Sequence, residues 1–285
     1  MSGLGPLAYR LVDVFTEHPF AGNPLAVVLD ADELTTTQMQ KIALEFNLSE
    51  TVFPVEATTP EANYRLRIFT PGTELPFAGH PSVGAAWVMR SVGRIVDGAI
   101  VQECGAGLLP LVIDGDAVTL TGGSPHLGEI VDPAQALAGV GLSEQDLVGD
   151  PMRLCGVGID FAYLHVRPEA LARTAPNYGA MRSLPGATGV FVFSATTALI
   201  RARMFAIGVG EDPATGSAAL GLGVWLASCG RVAADGVTAY LVEQGVEMHR
   251  PSRLSCEVRC SGGVAVECRV TGSVVPVGEG HIRRP

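Results

Sequence analysis

Short runs of alternating or unbroken apolar residues dominate the chain, the pattern expected of β-strands with one or both faces buried. They predict strands at Tyr9–Phe15, Leu25–Leu29, Thr51–Val55, Tyr64–Phe69, Ile100–Glu103, Leu108–Ile113 and Ala117–Leu120. Helical spacing of apolar positions interrupts them at Thr36–Phe46 and Ser82–Ser91. After a Pro/Gly-marked connection near Ser124–Pro133 the pattern resumes, with strands at Phe161–Val166, Gly189–Phe193 and Ile200–Phe205 and a helix at Ala214–Ser228. Strands at Val237–Val242, Leu254–Cys260 and Val264–Val270 follow. The most apolar stretch, Ala214–Ala227, is too short and too broken by glycine to span a bilayer.

The pattern also repeats. RLRIFTPGTELPFAGHPSVGAAWVMRSVGRI from Arg65 aligns with RARMFAIGVGEDPATGSAALGLGVWLASCGRV from Arg201. Arg65, Arg67 and Phe69 match Arg201, Arg203 and Phe205; after a one-residue slip, Glu74, Pro76, Gly79, Gly84, Ser91, Gly93 and Arg94 match Glu211, Pro213, Gly216, Gly221, Ser228, Gly230 and Arg231. Each copy reads strand, Gly/Pro-rich loop, helix. A duplication of this size predicts two similar halves related by approximate twofold symmetry, with both loops facing one cleft. We place the division between the halves at 123/124.

At 285 residues the chain has room for one large domain or two medium ones. The apolar fraction is 47% and the charged fraction a low 17%, which gives ample core and argues against disorder. A net charge of −10 argues against nucleic acid and anionic membranes as partners. The six cysteines form no Cys-x-x-Cys pair and have no histidines at zinc-ligand spacing, so no metal is expected. They read as buried free thiols in a reducing compartment. The opening residues lack a secretory signal pattern, and the expected location is the cytoplasm.

Three segments carry candidate chemistry. Gly79 and Gly216 stand at equivalent positions, each just before an apolar helix. Unpaired amides and the helix dipole there favour an anion, a substrate carboxylate for instance. A phosphate loop is excluded because no lysine follows either glycine. His80 and Ser217 occupy matching places beside them; a histidine there is a proton donor or substrate orienter, or else a cap on the loop backbone. Asp212 before Pro213 is either a turn and cap residue or a carboxylate at the cleft mouth. Glu50 lies between a helix and an apolar strand. Burial there would raise its pKa toward that of a useful general base, whereas on the surface it would be inert.

Together these segments resemble the PhzF-like family of phenazine biosynthesis. The matching stretches are Gly22-Asn23-Pro24-Leu25-Ala26-Val27-Val28, Asn47-Leu48-Ser49-Glu50-Thr51, Phe69-Thr70-Pro71 with Glu74 through Pro81, and Gly210 through Ala218. They occur in the family's order and cover nearly the whole chain, with 125–185 the weak part. The resemblance implies an α+β fold like that of diaminopimelate epimerase: two pseudo-symmetric halves, each a mainly antiparallel sheet curled around a central helix, with the last strand, about 275–285, returning to the first half (1–123) and leaving 124–274 as the second. It implies a cofactor-independent isomerase, often homodimeric, acting on a small carboxylic acid bound between the halves. In the phenazine enzyme that acid is a dihydro-hydroxyanthranilate. Glu50 would relay the proton while His80 and Asp212 position the substrate; Gly79, Gly216 and Ser217 would hold its carboxylate. The two opposed cysteines of the racemising relatives are missing here, so thiol chemistry is not expected. A hydrolase or lyase on the same scaffold and a non-catalytic binding protein are the competing readings.

Overall fold

The computed structural model describes residues 5–181, 184, 186–196, 199–207 and 210–285. They form two compact units: one holds the residues up to Leu120 together with Thr271–Pro285, and the other spans Thr121–Val270.

The first unit contains β1 (Leu7–Val14), β2 (Asn23–Val28), α1 (Thr36–Phe46), β3 (Thr51–Val55), β4 (Tyr64–Phe69), β5 (Glu74–Leu75), α2 (Gly79–Ser91), β6 (Gly98–Cys104), β7 (Gly107–Asp114) and β8 (Ala117–Thr121). The second contains β9 (His126–Ile130), α3 (Ala134–Val140), β10 (Arg153–Gly156), β11 (Asp160–His165), α4 (Pro168–Leu171), α5 (Tyr178–Met181), β12 (Gly189–Ala195), β13 (Ile200–Ala206), β14 (Gly210–Asp212), α6 (Gly216–Ser228), β15 (Gly236–Gln244) and β16 (Ser252–Ser261). The last strand, β17 (Val264–Ile282), begins in the second unit and ends in the first.

In the first unit the pairings β1–β2–β3–β4–β6–β7–β8–β17, with β17 returning to β1, close an eight-stranded barrel. Two neighbours are parallel, β2–β3 and β4–β6. A parallel pair needs a crossover, and a helix supplies each one: α1 for the first, α2 for the second. In the second unit β11–β12 and β13–β15 are the parallel pairs, and α6 makes the crossover between β13 and β15.

The two crossover helices α2 and α6 are the cores of their units. Residues Gly79–Met89 of α2 and Gly216–Ala227 of α6 are buried on every side. A helix with no polar face is stable only inside a shell of other elements, and both touch several strands of their own unit. Small residues let the shell close. A Cβ at Gly84 would lie 2.5 Å from Leu25 Cδ2, and one at Gly221 would lie 2.3 Å from the Tyr163 hydroxyl and 3.1 Å from Gly156 Cα. By contrast α1 is amphipathic and packs Met39, Ile42 and Ala43 on the outside of its barrel, against Leu7, Val28, Phe53 and Phe69. This is the mixed α+β architecture, sheet around central helix, that the resemblance implies.

Several details differ from the sequence expectation, among them the short elements β5, β9, β10, β14 and α3–α5, which it did not include. Helix α2 starts at Gly79 and not at Ser82, because Pro81 falls in the first turn, where a missing N–H removes no helical bond. Helix α6 starts at Gly216, two residues later than expected. Strand β17 runs unbroken from Val264 to Ile282, so the strand expected at Val264–Val270 and the last strand expected at about 275–285 are one. The slip in the repeat falls on a stretch containing residues 208 and 209, which lie outside the described residues. All six cysteines are free, and only Cys229 is not buried. Among the described residues no helix is long and apolar enough to cross a membrane, and no cluster of metal-ligand type occurs.

Candidate active site

In the first unit the chemistry gathers at the head of α2. The parallel pairing of β2 with β3 matches Ala26 with Thr51, which brings Ser49 and Glu50 alongside the start of β2. Glu50 follows the left-handed Asn47 that ends α1, and its side chain retains 16% exposure. Its Oε2 lies 3.4 Å from His80 Nε2, and the imidazole is buried. On the other edge of that ring, Asn23 Nδ2 lies 3.2 Å from His80 Nδ1, and Asn23 Oδ1 accepts a hydrogen bond from Ser49 Oγ at 3.3 Å. Burial pushes His80 down to about 3, so the ring is neutral at any working pH.

The head of α2 is anchored from inside the barrel. Tyr64 donates to Gln102 Oε1 at 2.9 Å, Gln102 Nε2 donates to Ser82 Oγ at 2.9 Å, and Ser82 donates to the Ala78 carbonyl at 2.9 Å. The N-cap residue Ala78 makes no side-chain cap, and the amides of Gly79 and His80 have no partner within the helix.

In the second unit the corresponding helix head is held by a different network. Thr215 Oγ1 donates to Asp212 Oδ2 at 2.5 Å. Gln244, fully buried, donates to the Asp212 carbonyl at 2.7 Å and to Thr215 Oγ1 at 3.0 Å; its Oε1 accepts from the Thr215 amide at 3.2 Å. Ser252 donates to the Pro213 carbonyl at 2.9 Å. Asp212 and Ser217 are both buried, and the N-cap residue Thr215 makes no side-chain cap to α6. The amides of Gly216 and Ser217 open the helix with no intrahelical partner, as those of Gly79 and His80 do in α2.

The structure therefore joins Glu50, His80 and Gly79 in one cluster and Asp212, Gly216 and Ser217 in another. Sequence reasoning missed Asn23, Thr215 and Gln244. Asn23 lay inside a motif already singled out, and a polar residue opening an apolar strand was the available signal. Gln244 gave none, since a glutamine at a strand end is usually solvated. What the first cluster offers chemically is one ionisable carboxylate beside a neutral hydrogen-bond donor, next to a helix head suited to an anion.

Comparison with known proteins points the same way. Residues 12–280 match the family described as phenazine biosynthesis-like protein. A trans-2,3-dihydro-3-hydroxyanthranilate isomerase of Pseudomonas aeruginosa is 34% identical, covering 96% of this chain and 98% of its own. The crystal structure of a Bacillus anthracis phenazine biosynthesis protein of the PhzF family superposes with a TM-score of 0.87 at 26% identity, covering 98% of this chain and 99% of that one. A hydroxyproline epimerase from Agrobacterium vitis, solved with trans-4-hydroxy-L-proline bound, shares the fold with a TM-score of 0.72 at 15% identity over 99% of this chain and 94% of its own.

Proposed function

The chain belongs to the phenazine biosynthesis-like family and is an isomerase; on that premise we propose that it moves a proton on a small unsaturated amino- or hydroxy-carboxylic acid, with Glu50 as the general acid and base. The observation that carries this reading is the Glu50–His80 pair, 3.4 Å apart at the head of α2, with the imidazole buried and neutral. Of the two groups, the carboxylate is the one that changes protonation. It takes a proton from a carbon made acidic by conjugation, and the electron pair left behind spreads toward the substrate carboxylate. Glu50 then returns the proton to another carbon of the same system, and the double bond moves. Proton balance closes with no co-reactant, and conjugation within the substrate serves as the electron sink.

The helix heads supply the anion stabilisation this scheme needs. The amides at Gly79, and those at Gly216 and Ser217, are suited to a carboxylate and to negative charge that builds up during proton removal. His80 would orient a substrate polar group together with Glu50, and Asp212 would bind an amino or hydroxyl group. The relative's dihydro-hydroxyanthranilate has each of these features, a carboxylate on a conjugated ring with amino and hydroxyl groups. A homodimer, expected from the resemblance, is checked by light scattering on the purified chain.

Incubation in D₂O with a panel of such acids, followed by NMR, tests the reading. The wild type should incorporate deuterium or shift a double bond in at least one compound. Glu50→Gln should bind the same compound and leave it unchanged. Equal exchange in both proteins would remove Glu50 from the role.

A further inference from the structure

His80 is flanked on both ring edges, and the two edges agree about where its proton sits. A carboxamide nitrogen can only donate, so with Asn23 Nδ2 at 3.2 Å the Nδ1 atom of His80 must accept. The neutral ring then carries its proton on Nε2, which faces Glu50 Oε2 at 3.4 Å, an atom that accepts when ionised. In this orientation Asn23 Oδ1 accepts from Ser49 Oγ at 3.3 Å; a hydroxyl serves either end of an amide, so the sense of the amide is set at the ring. Reversing the amide would require a proton on Nδ1. The Nε2 lone pair would then be aimed at the carboxylate, and the two would repel.

We propose that Asn23 is a positioning residue that locks His80 as the Nε2–H tautomer, so that the imidazole turns a protonated edge toward Glu50 and never competes for its proton. This rests on the reading of Glu50 as the acid and base. With Nδ1 engaged by Asn23 and Nε2 already protonated, the ring has no free lone pair. A proton taken up by Glu50 therefore stays there until it returns to the substrate. Asparagine suits the position because its amide nitrogen donates to His80 Nδ1 while its oxygen accepts from Ser49. Aspartate would accept from both, draw the proton to Nδ1 and favour the imidazolium.

The test is ¹⁵N NMR of the full chain labelled at histidine, with His80→Gln used to identify the resonances of this ring among the six histidines. The wild type should show an unprotonated Nδ1 and a protonated Nε2. Asn23→Asp should move the proton to Nδ1 or give the doubly protonated ring, and Ser49→Ala should keep the wild-type pattern. With the substrate found in D₂O, Asn23→Asp should lower kcat by roughly 10²-fold, the lower end of what general acid–base help contributes, with KM changed far less. A wild-type ring protonated on Nδ1, or an unchanged pattern in Asn23→Asp, would overturn the proposal. If Asn23→Asp does not fold, the wild-type tautomer alone decides. The tautomer is read without substrate, so undiminished exchange in Glu50→Gln would defeat the Glu50 reading separately.

Discussion

The two strand–loop–helix copies share a frame and differ in what it holds. In the first unit Arg67 makes a forked pair with Glu74, both bonds at 2.7 Å; in the second Arg203 makes the same fork with Glu211 at 2.8 Å. Each guanidinium also lies over a phenylalanine, Arg67 on Phe69 and Arg203 on Phe205. One residue pair further along, Arg65 faces Glu103 and Arg201 faces Glu243, each across a parallel strand pair. Both helices end with the same double bond, Gly93 to Arg90 and Arg94 to Met89, Gly230 to Ala227 and Arg231 to Leu226. The matched arginines, glutamates and C-terminal glycines of the repeat are therefore scaffold: they pin the strands, shape the loop and stop the helix, while the matched Gly79 and Gly216 open the two helix heads. The residues that differ, His80 against Ser217 above all, sit at the helix heads. Duplication preserved the frame, and the chemistry diverged within it.

The forks themselves differ in burial. Arg203 and Glu211 side chains are 9% and 16% exposed, against 18% and 36% for Arg67 and Glu74. Arg203 also donates to the carbonyl of Thr174 at 2.8 Å. Breaking a buried pair strands a charge, so Glu211→Gln should cost about 3 kcal/mol, the low end of the range for such pairs. Glu74→Gln should cost about 1 kcal/mol or less. Urea unfolding of the two variants checks this, and equal losses would erase the distinction. Gly221→Ala comes next. Its Cβ would meet the Tyr163 hydroxyl, itself bonded to the Ala218 carbonyl, and the Gly156 backbone, whereas at Gly84 the nearest atoms are the methyl ends of Leu25 and Val14. Overpacking against atoms that cannot yield should cost about 1–3 kcal/mol at Gly221 and less at Gly84, read by thermal melts.

How much of this was legible beforehand follows from the same comparison. The repeat and the two apolar helices were readable because scaffold pairs need fixed residue types at fixed spacings. The stretch 125–185 was not. There β9 has exposed residues on both faces, and α4 and α5 are four residues each, too short to show a helical period. The continuity of β17 was not legible because Gly272, Pro276, Gly278 and Gly280 read as breakers. In the fold Gly272 is needed because a Cβ there would lie 2.1 Å from the Phe15 ring, and the register shift at Leu11/Val12 absorbs the irregularity opposite Pro276 and Gly278. At the site, Glu50 and His80 carry recognisable chemistry, but Asn23 acts only through a ring held near it by the fold.

His80 separates the two helix heads by pH. Its folded pKa lies below the ordinary histidine value, so the unfolded chain binds the proton first as pH falls. Stability should be unaffected above about pH 6.5 and should decline from there toward about pH 3, by up to about 1.4 kcal/mol per pH unit. His80→Gln should flatten that part of the profile, and Ser217→Ala should not. The smallest effect is expected at the helix ends. Gly93 and Gly230 have φ of 75° and 64°, so alanine at either should cost about 1 kcal/mol, nearly equally in the two units. Unequal costs would mean that the frames are less alike than their hydrogen bonds.

The division of labour is tested most directly by measuring deuterium exchange and calorimetric binding of one substrate by Glu50→Gln and Asp212→Asn side by side. Exchange in Glu50→Gln should fall by about 10²–10⁴-fold with binding nearly intact, while Asp212→Asn should lose affinity first. Undiminished exchange in Glu50→Gln, or parallel loss of binding in both variants, would contradict the account.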